Sequence, residues 1–404
     1  MYEGAWEPVQ YILPGIKLEE YQCRTALSVA YENQQLIMFE TGLGKTLATV
    51  AGLQMRMNAK LSKKILWLSP LDTIKQTTST FSQYTKMTDR VLTGTSQHLY
   101  DREDSSVDIY FINFEAFDNI SILEWIYNKY RAFDTVVVDE AHYIANPFSS
   151  NRNGFIWWMI CQITNRYILT ATPVISKVDQ YASLWCLMDK SLKNFMNYRA
   201  QIHTKKLLPE LHPKIICYKQ RNVTIPIEVI CFEEHIDRTR LHGSALFKDT
   251  RCFPNARSDQ ILLELISKEK LNHFLIYSNI VDHHKPLKQL IESHTGRKVD
   301  ILNGTTKQKS IVQGKFNKNE IDVLIYSVNV GIDLPADAVI FYEWDVYAAQ
   351  SLGRAIRKES VPENFKAWFI INTLYESDMF ENTVMKTGLL NEKALDKNLF
   401  KNIY

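Results

Sequence analysis

The chain has 404 residues, long enough for two domains of ordinary size, and its 46% apolar and 23% charged content describes a soluble globular protein. No apolar run reaches the length of a bilayer span, and the longest candidate, residues 155–160, is far too short. A net charge of +2 does not by itself indicate nucleic acid, so such a partner would have to be met by a local basic patch.

Residues 1–18 hold Pro8 and Pro14 and read as irregular. Residues 19–22 lead into an amphipathic helix predicted over 23–31. The Gln22 amide offers a donor and an acceptor, which suits an adenine edge; without a nucleotide site nearby it would read as a surface glutamine. An apolar run, 36–39, then enters Glu40-Thr41-Gly42-Leu43-Gly44-Lys45-Thr46, and a helix-forming run follows. A buried strand, a glycine loop and a helix start make a phosphate cradle. Gly42 and Gly44 let the backbone amides turn toward an anion without a Cβ in the way. Lys45 reaches for β and γ phosphates, and the Thr46 hydroxyl suits Mg²⁺. The usual pattern has Gly four residues before the Gly-Lys pair, where this chain has Phe39.

Beyond the loop, strands and helices alternate. Strands are predicted at 64–68, 109–112, 136–138 and 167–169, with a helical stretch from Asp72. The strand at 136–138 runs straight into Asp139-Glu140-Ala141-His142, and that at 167–169 into Thr170-Ala171-Thr172-Pro173. Polar motifs at the carboxyl ends of short apolar strands are the layout of a parallel α/β sheet. Residues 179–198 are predicted helical. Residues 199–228 read as an inter-domain connection; its part from Arg199 to Arg221 has a basic face, carrying Arg199, Lys205, Lys206, Lys214, Lys219 and Arg221 against Glu210, and a solvated linker and a DNA contact fit it equally.

A second alternating block starts near Asn272, with strands predicted at 274–277, 299–302, 323–326, 339–342 and 368–371. The expected organisation is a first domain over 1–198, the connection, a second domain over 229–375 and a polar helical tail over 376–404. The second block has no phosphate loop of its own.

Asp139 and Glu140 carry the next piece of chemistry. One carboxylate at a strand end can hold Mg²⁺ directly or through water, and its neighbour can activate a water for attack on the γ-phosphate. Thr170 and Thr172 can bond to these acids and relay their state, or serve as turn residues. Far downstream, Gln350, Arg354 and Arg357 fall on one helical segment, and the two arginines, three apart, share a face. Guanidiniums held toward a γ-phosphate would stabilise transition-state charge. Gly331 and Asp333 follow a strand in a segment able to sense both nucleotide and nucleic-acid backbone.

These motifs stand in one consistent order, and the chain resembles a superfamily 2 helicase or nucleic-acid translocase from about Gln22 to Arg357. Gly-Leu-Gly-Lys-Thr together with Asp-Glu-Ala-His is most similar to the Swi/Snf-type branch that translocates on double-stranded DNA. Leu302-Asn303-Gly304-Thr305-Thr306 and Gly353-Arg354-Ala355-Ile356-Arg357 fit that branch. Phe39 departs from it, and Gly331-Ile332-Asp333-Leu334-Pro335 is closer to the general helicase form. There is no room for the helical insertions of chromatin remodellers, which points to a minimal motor, viral or prokaryotic.

The resemblance implies two RecA-like parallel-sheet domains, ATP and Mg²⁺ bound in the cleft between them, and duplex DNA as the partner. The expected function is nucleic-acid-stimulated ATP hydrolysis coupled to translocation. The alternatives are a strand-separating DNA or RNA helicase and, from another class, an ATP-clamped binding subunit. Six scattered cysteines without a Cys-x-x-Cys pair argue against structural zinc. With no signal-peptide pattern at the start, they suit a reducing compartment, cytoplasm or nucleus or nucleoid.

Overall fold

Short β-branched and aromatic runs become strands, and amphipathic runs between them become helices, in two separate parallel sheets. The structure is a computed structural model. It describes residues 6–40, 42–92, 106–171, 179–204, 206–207, 212, 216–219, 227–231, 257–327, 334–343 and 365–371. The chain divides into a unit whose main body ends at Arg221 and a unit that starts at Asn222.

The first unit has strands β1 (Gln34–Phe39), β2 (Ile65–Ser69), β3 (Asp89–Leu92), β4 (Ile109–Asn113), β5 (Thr135–Val138), β6 (Asn165–Leu169) and β7 (Ile216–Lys219). Their order in the sheet is β3-β4-β2-β5-β6-β1-β7, and every pairing is parallel. Its helices are α1 (Glu20–Tyr31), α2 (Lys45–Asn58), α3 (Leu71–Tyr84), α4 (Ile120–Lys129), α5 (Asn151–Gln162), α6 (Asp179–Asp189) and α7 (Phe195–His203).

Strand side chains alternate between two cores, as a period of two requires. Leu36, Met38, Leu66, Leu68, Val136, Val138 and Ile168 pack with the buried faces of α4, α5 and α6. Ile37, Phe39, Ile65, Trp67, Val137, Tyr167 and Leu169 pack with those of α1, α2 and α3. Helices thus cover both faces of the sheet, and the carboxyl ends of the strands are left to loops.

Several elements differ from the sequence reading, each for a local reason. Helix α1 starts at Glu20, not Cys23, because the Gln22 Oε1 accepts the Glu19 N–H at 3.0 Å and fixes the first turn. Residues 7–18 are largely irregular but anchored, with Val9, Leu13 and Leu18 buried in the core. Strand β3 is a polar edge strand in which Leu92 alone is buried, too little apolar signal to read. Within the stretch expected as a connection, Arg199 lies in α7 and pairs with Asp179 at 2.8 Å, while Ile216–Lys219 is β7, the edge strand beside β1.

The second unit has β8 (Ile227–Cys231), β9 (Phe274–Ser278), β10 (Val299–Leu302), β11 (Val323–Tyr326), β12 (Ala338–Glu343) and β13 (Lys366–Ile371). They form a parallel sheet in the order β10-β11-β9-β12-β13-β8. Its helices are α8 (Arg257–Lys268), α9 (His284–Thr295) and α10 (Lys309–Asn317). Phe274, Ile276, Val323, Ile325, Ile340 and Trp368 bury one face of the sheet against Leu262 and Ile266 of α8 and Leu287 and Ile291 of α9. The regular elements of this unit begin before Asn272, where the alternating pattern was first read: β8 and α8 both precede it, and neither was predicted as an element. Among the described residues, no helix is long and apolar enough to cross a membrane.

Candidate active site

Strands β5, β6 and β1 are neighbours, so the residues that follow them meet at one edge of the first sheet. After β1 the chain turns through Gly42 at φ 84° and Gly44 at φ 74°, left-handed conformations that favour glycine. Gly44 opens α2, whose first residues are Lys45 and Thr46. A Cβ at Gly44 would strike the Gln22 side-chain amide, so this place needs glycine for space as well as for φ.

The glycine loop is held from behind by α1. The Leu43 carbonyl accepts the Tyr21 hydroxyl at 3.0 Å and the Gln22 Nε2 at 3.1 Å. Turned inward in this way, it leaves the backbone amides at the start of α2 as the anion-facing groups. Phe39, which departs from the usual loop pattern, is fully buried and packs edge-on against the Tyr21 ring at 5.3 Å. It acts as the last core residue of β1 and braces the tyrosine. Gln22 is buried, not a surface glutamine, and one acceptor and one donor of its amide are spent on Glu19 and Leu43.

The acids come from the end of β5. The Asp139 N–H donates to the Leu68 carbonyl at 2.8 Å, which continues the β2 pairing one residue further. Glu140 then takes a left-handed conformation, φ 52°, uncommon for a residue with a side chain. The 3₁₀ turn that follows, Ala141–Ile144, is pinned by α5: the Trp157 Nε1 donates to the Ile144 carbonyl at 2.6 Å and the Asn153 amide to the Tyr143 carbonyl at 3.3 Å.

Across the edge, the Lys45 ammonium lies 3.0 Å from Glu140 Oε1 and 3.8 Å from Asp139 Oδ1. The Thr46 hydroxyl is 3.5 Å from Asp139 Oδ2. Burial pushes the Asp139 carboxyl up to about 6, with Glu140 adding to the rise and Lys45 opposing it. His142 is buried, and its Nδ1 is 3.3 Å from the Thr170 hydroxyl and 3.4 Å from Glu140 Oε2. His142 and Tyr21 had no assigned role in the sequence. Tyr21 adjoins Gln22 and His142 lies two residues after Glu140, and that closeness was the available signal.

The residues fit a nucleotide with a hard cation. Thr46 and Asp139 bring two oxygen donors together, and a cation that keeps most of its own waters needs no denser cage. Among the described residues there is no group of three or more His, Cys, Asp and Glu side chains that could hold a metal. Thr41, Thr172, Gly331, Asp333, Gln350, Arg354 and Arg357 lie outside the described residues.

Two parallel α/β sheets, with Lys45, Thr46, Asp139 and Glu140 gathered at one edge of the first, suit a nucleotide-hydrolysing protein. Residues 24–224 match the model of the SNF2-related domain, and residues 257–359 that of the helicase conserved C-terminal domain. The chain belongs to the superfamily 2 ATPases of the Swi/Snf type and is an ATP hydrolase. Comparison with curated proteins gives no significant match.

Among solved structures, Saccharomyces cerevisiae Dbp5 bound to RNA and ADP BeF3 is similar at 14% identity and a TM-score of 0.59, covering 94% of this chain and 89% of that one. A Dbp5 variant bound to a Gle1 variant and IP6 is similar at 16% identity and a TM-score of 0.56, covering 92% and 87%. The Sulfolobus solfataricus SWI2/SNF2 ATPase core in complex with dsDNA matches at 16% identity over 96% and 97%, with a TM-score of 0.46. The Dbp5 likenesses show the shared fold of two RecA-like domains.

Proposed function

We propose that this ATPase is stimulated by nucleic acid and moves along duplex DNA, with Mg²⁺ as its cofactor. The observation that carries the nucleotide half is the Lys45 ammonium held between Glu140 and Asp139, beside the Thr46 hydroxyl. The SNF2-related match over residues 24–224 supports DNA as the track.

In this reading the amides at the start of α2 and the Lys45 ammonium bind the β and γ phosphates of the substrate. Thr46 and Asp139 would hold Mg²⁺, which supplies charge neutralisation on those phosphates when bound. As Lys45 turns from the carboxylates to phosphate oxygens, Glu140 gives up its ion pair. Its carboxylate can then accept a proton from the attacking water. His142, whose Nδ1 lies 3.4 Å from Glu140 Oε2, is the neighbour that would keep this carboxylate aimed while this happens. The second acceptor site and second N–H of the Gln22 amide are the groups left to read adenine. Arg354 and Arg357 would stabilise charge on the transferred phosphoryl group, with Gln350 beside them, and Gly331 and Asp333 would respond to the nucleotide.

The test is the ATPase rate against single-stranded DNA, duplex DNA, forked DNA and RNA. Duplex should stimulate at least as strongly as single strands. The stimulation should fall steeply between about 50 and about 200 mM salt, because neutralised phosphates release counterions. A clear preference for single strands or RNA would overturn the duplex reading in favour of a strand-separating helicase.

A further inference from the structure

Lys219 was expected as part of a solvated or DNA-facing basic stretch, and it does something else. It closes β7 as the register partner of Phe39, the last residue of β1. Its carbonyl accepts the Glu40 N–H at 3.1 Å, at the point where the chain enters the glycine loop. Its ammonium lies 5.0 Å from the centroid of the Tyr21 ring, within the range of a cation–π contact. Tyr21 is the residue whose hydroxyl holds the Leu43 carbonyl and whose ring packs on Phe39.

We infer that Lys219 is a positioning residue for nucleotide binding, acting on the glycine loop through Tyr21. Among the described residues, the Lys219 side chain makes its contact with the Tyr21 ring and not with the loop. Its charge holds the tyrosine ring, the ring and the Phe39 face fix where the hydroxyl points, and the hydroxyl keeps the Leu43 carbonyl turned away from the anion. Were Tyr21 to tilt, Leu43 would keep one of its two side-chain donors, and its carbonyl would be less firmly excluded from the phosphate side. The backbone bond from Glu40 to Lys219 is independent of the side chain, so β7 pairing and cation–π contact can be separated by mutation. The main body of the first unit ends two residues later, at Arg221, so the last strand of that body also braces its nucleotide loop.

This inference rests on the reading of the glycine loop as the phosphate site, and the experiment separates the two. In the full chain, the KM and kcat for ATP and the affinity for a fluorescent ATP analogue are measured for Lys219→Met, Lys219→Arg, Tyr21→Phe, the Lys219→Met/Tyr21→Phe double variant and Lys45→Ala. Methionine keeps length, packing and strand pairing but not the charge, whereas arginine keeps a cation for the ring. Lys219→Met should raise the KM for ATP about five-fold, the scale of a cation–π contact, with kcat within about two-fold of wild type. Tyr21→Phe should do the same by losing the hydroxyl, and Lys219→Arg should restore a near-normal KM. The double variant should be little worse than either single one, because both changes break the same chain of contacts.

A wild-type KM in Lys219→Met, or no rescue by arginine, would overturn the inference. So would a Lys219→Met protein whose only defect is weaker stimulation by DNA, which is the behaviour of a backbone-contacting lysine. If Lys219→Met fails to fold, Tyr21→Phe decides alone, since it removes one oxygen and no packing; an unchanged KM there sinks the inference. If Lys45→Ala binds the analogue and hydrolyses ATP normally, the phosphate-site reading fails independently of Lys219.

Discussion

The carboxylate of Glu140 and the ammonium of Lys45 sit 3.0 Å apart, joined across 95 residues of sequence. The pair is partly buried, so each charge compensates the other. An incoming phosphate competes with Glu140 for Lys45. The exchange releases the carboxylate that the proposed mechanism uses as a base when the substrate arrives.

Glu140→Gln should therefore bind ATP at least as well as wild type, because Lys45 no longer has to leave a carboxylate. Its turnover should fall by a factor on the order of 10²–10⁴, the contribution of a general base. Nucleotide affinity and single-turnover rates, measured together, check this. Loss of affinity in step with rate would make Glu140 a structural or metal-holding residue. Lys45→Ala should abolish turnover in a folded protein, since the lysine is a point charge at the edge of the sheet and not a core group.

Asp139 links the site to pH. Its carboxyl is pushed from 3.8 up to about 6, first by burial and then by Glu140. A carboxyl raised on folding costs nothing while both states are protonated, below about pH 4. The cost grows as pH rises toward 6 and is constant above it. Asp139→Asn should accordingly be more stable than wild type above pH 6 in thermal or urea unfolding, and the difference should vanish below about pH 4. The same variant should lose the stabilisation that ATP with Mg²⁺ gives the wild type. A variant less stable than wild type at pH 8 without nucleotide would contradict the burial argument.

Gly44→Ala tests the loop geometry. The left-handed φ costs alanine about 1–2 kcal/mol, and its Cβ strikes the Gln22 amide. Nucleotide affinity should drop at least about ten-fold, by displacement of the loop. Adding Gln22→Ala should relieve the contact but not the φ strain, so affinity should recover only in part. Wild-type affinity and stability in Gly44→Ala would mean that the loop conformation is wrong.

Arg357→Ala should bind ATP nearly normally, because Lys45, Thr46 and Asp139 are untouched. Turnover should fall by a factor on the order of 10³, the scale at which an arginine finger acts. Arg357→Lys should rescue poorly, since a point charge does not reproduce a planar two-pronged contact. A silent Arg357→Ala in steady-state ATPase assays would remove the second unit from the chemistry.

The sequence by itself determined which residues could do chemistry and on what kind of scaffold. Gly42, Gly44, Lys45, Thr46, Asp139, Glu140 and Thr170 could be picked out as candidates because each follows a short apolar run, and such runs at regular intervals mean a parallel sheet with its polar residues at the strand ends. What the run of letters does not contain is strand order. Only the arrangement β5-β6-β1 brings the end of β5 beside the start of α2, and with it Glu140 to Lys45. That order is set by long-range burial, in which Val137, Tyr167 and Ile37 share one core and Val138, Ile168 and Leu36 the other. The edge strands escaped as well. Strand β3 is stabilised by pairing with β4 more than by burial of its own side chains, so local hydrophobicity carries little trace of it, and β7, although its letters are apolar, lay inside a stretch whose Lys and Arg content read as a connection. The duties of Tyr21, His142 and Lys219 were likewise decided in three dimensions. A tyrosine, a histidine and a lysine are ordinary surface or core residues until a loop carbonyl, a carboxylate or a ring is placed within reach by elements far away in the chain.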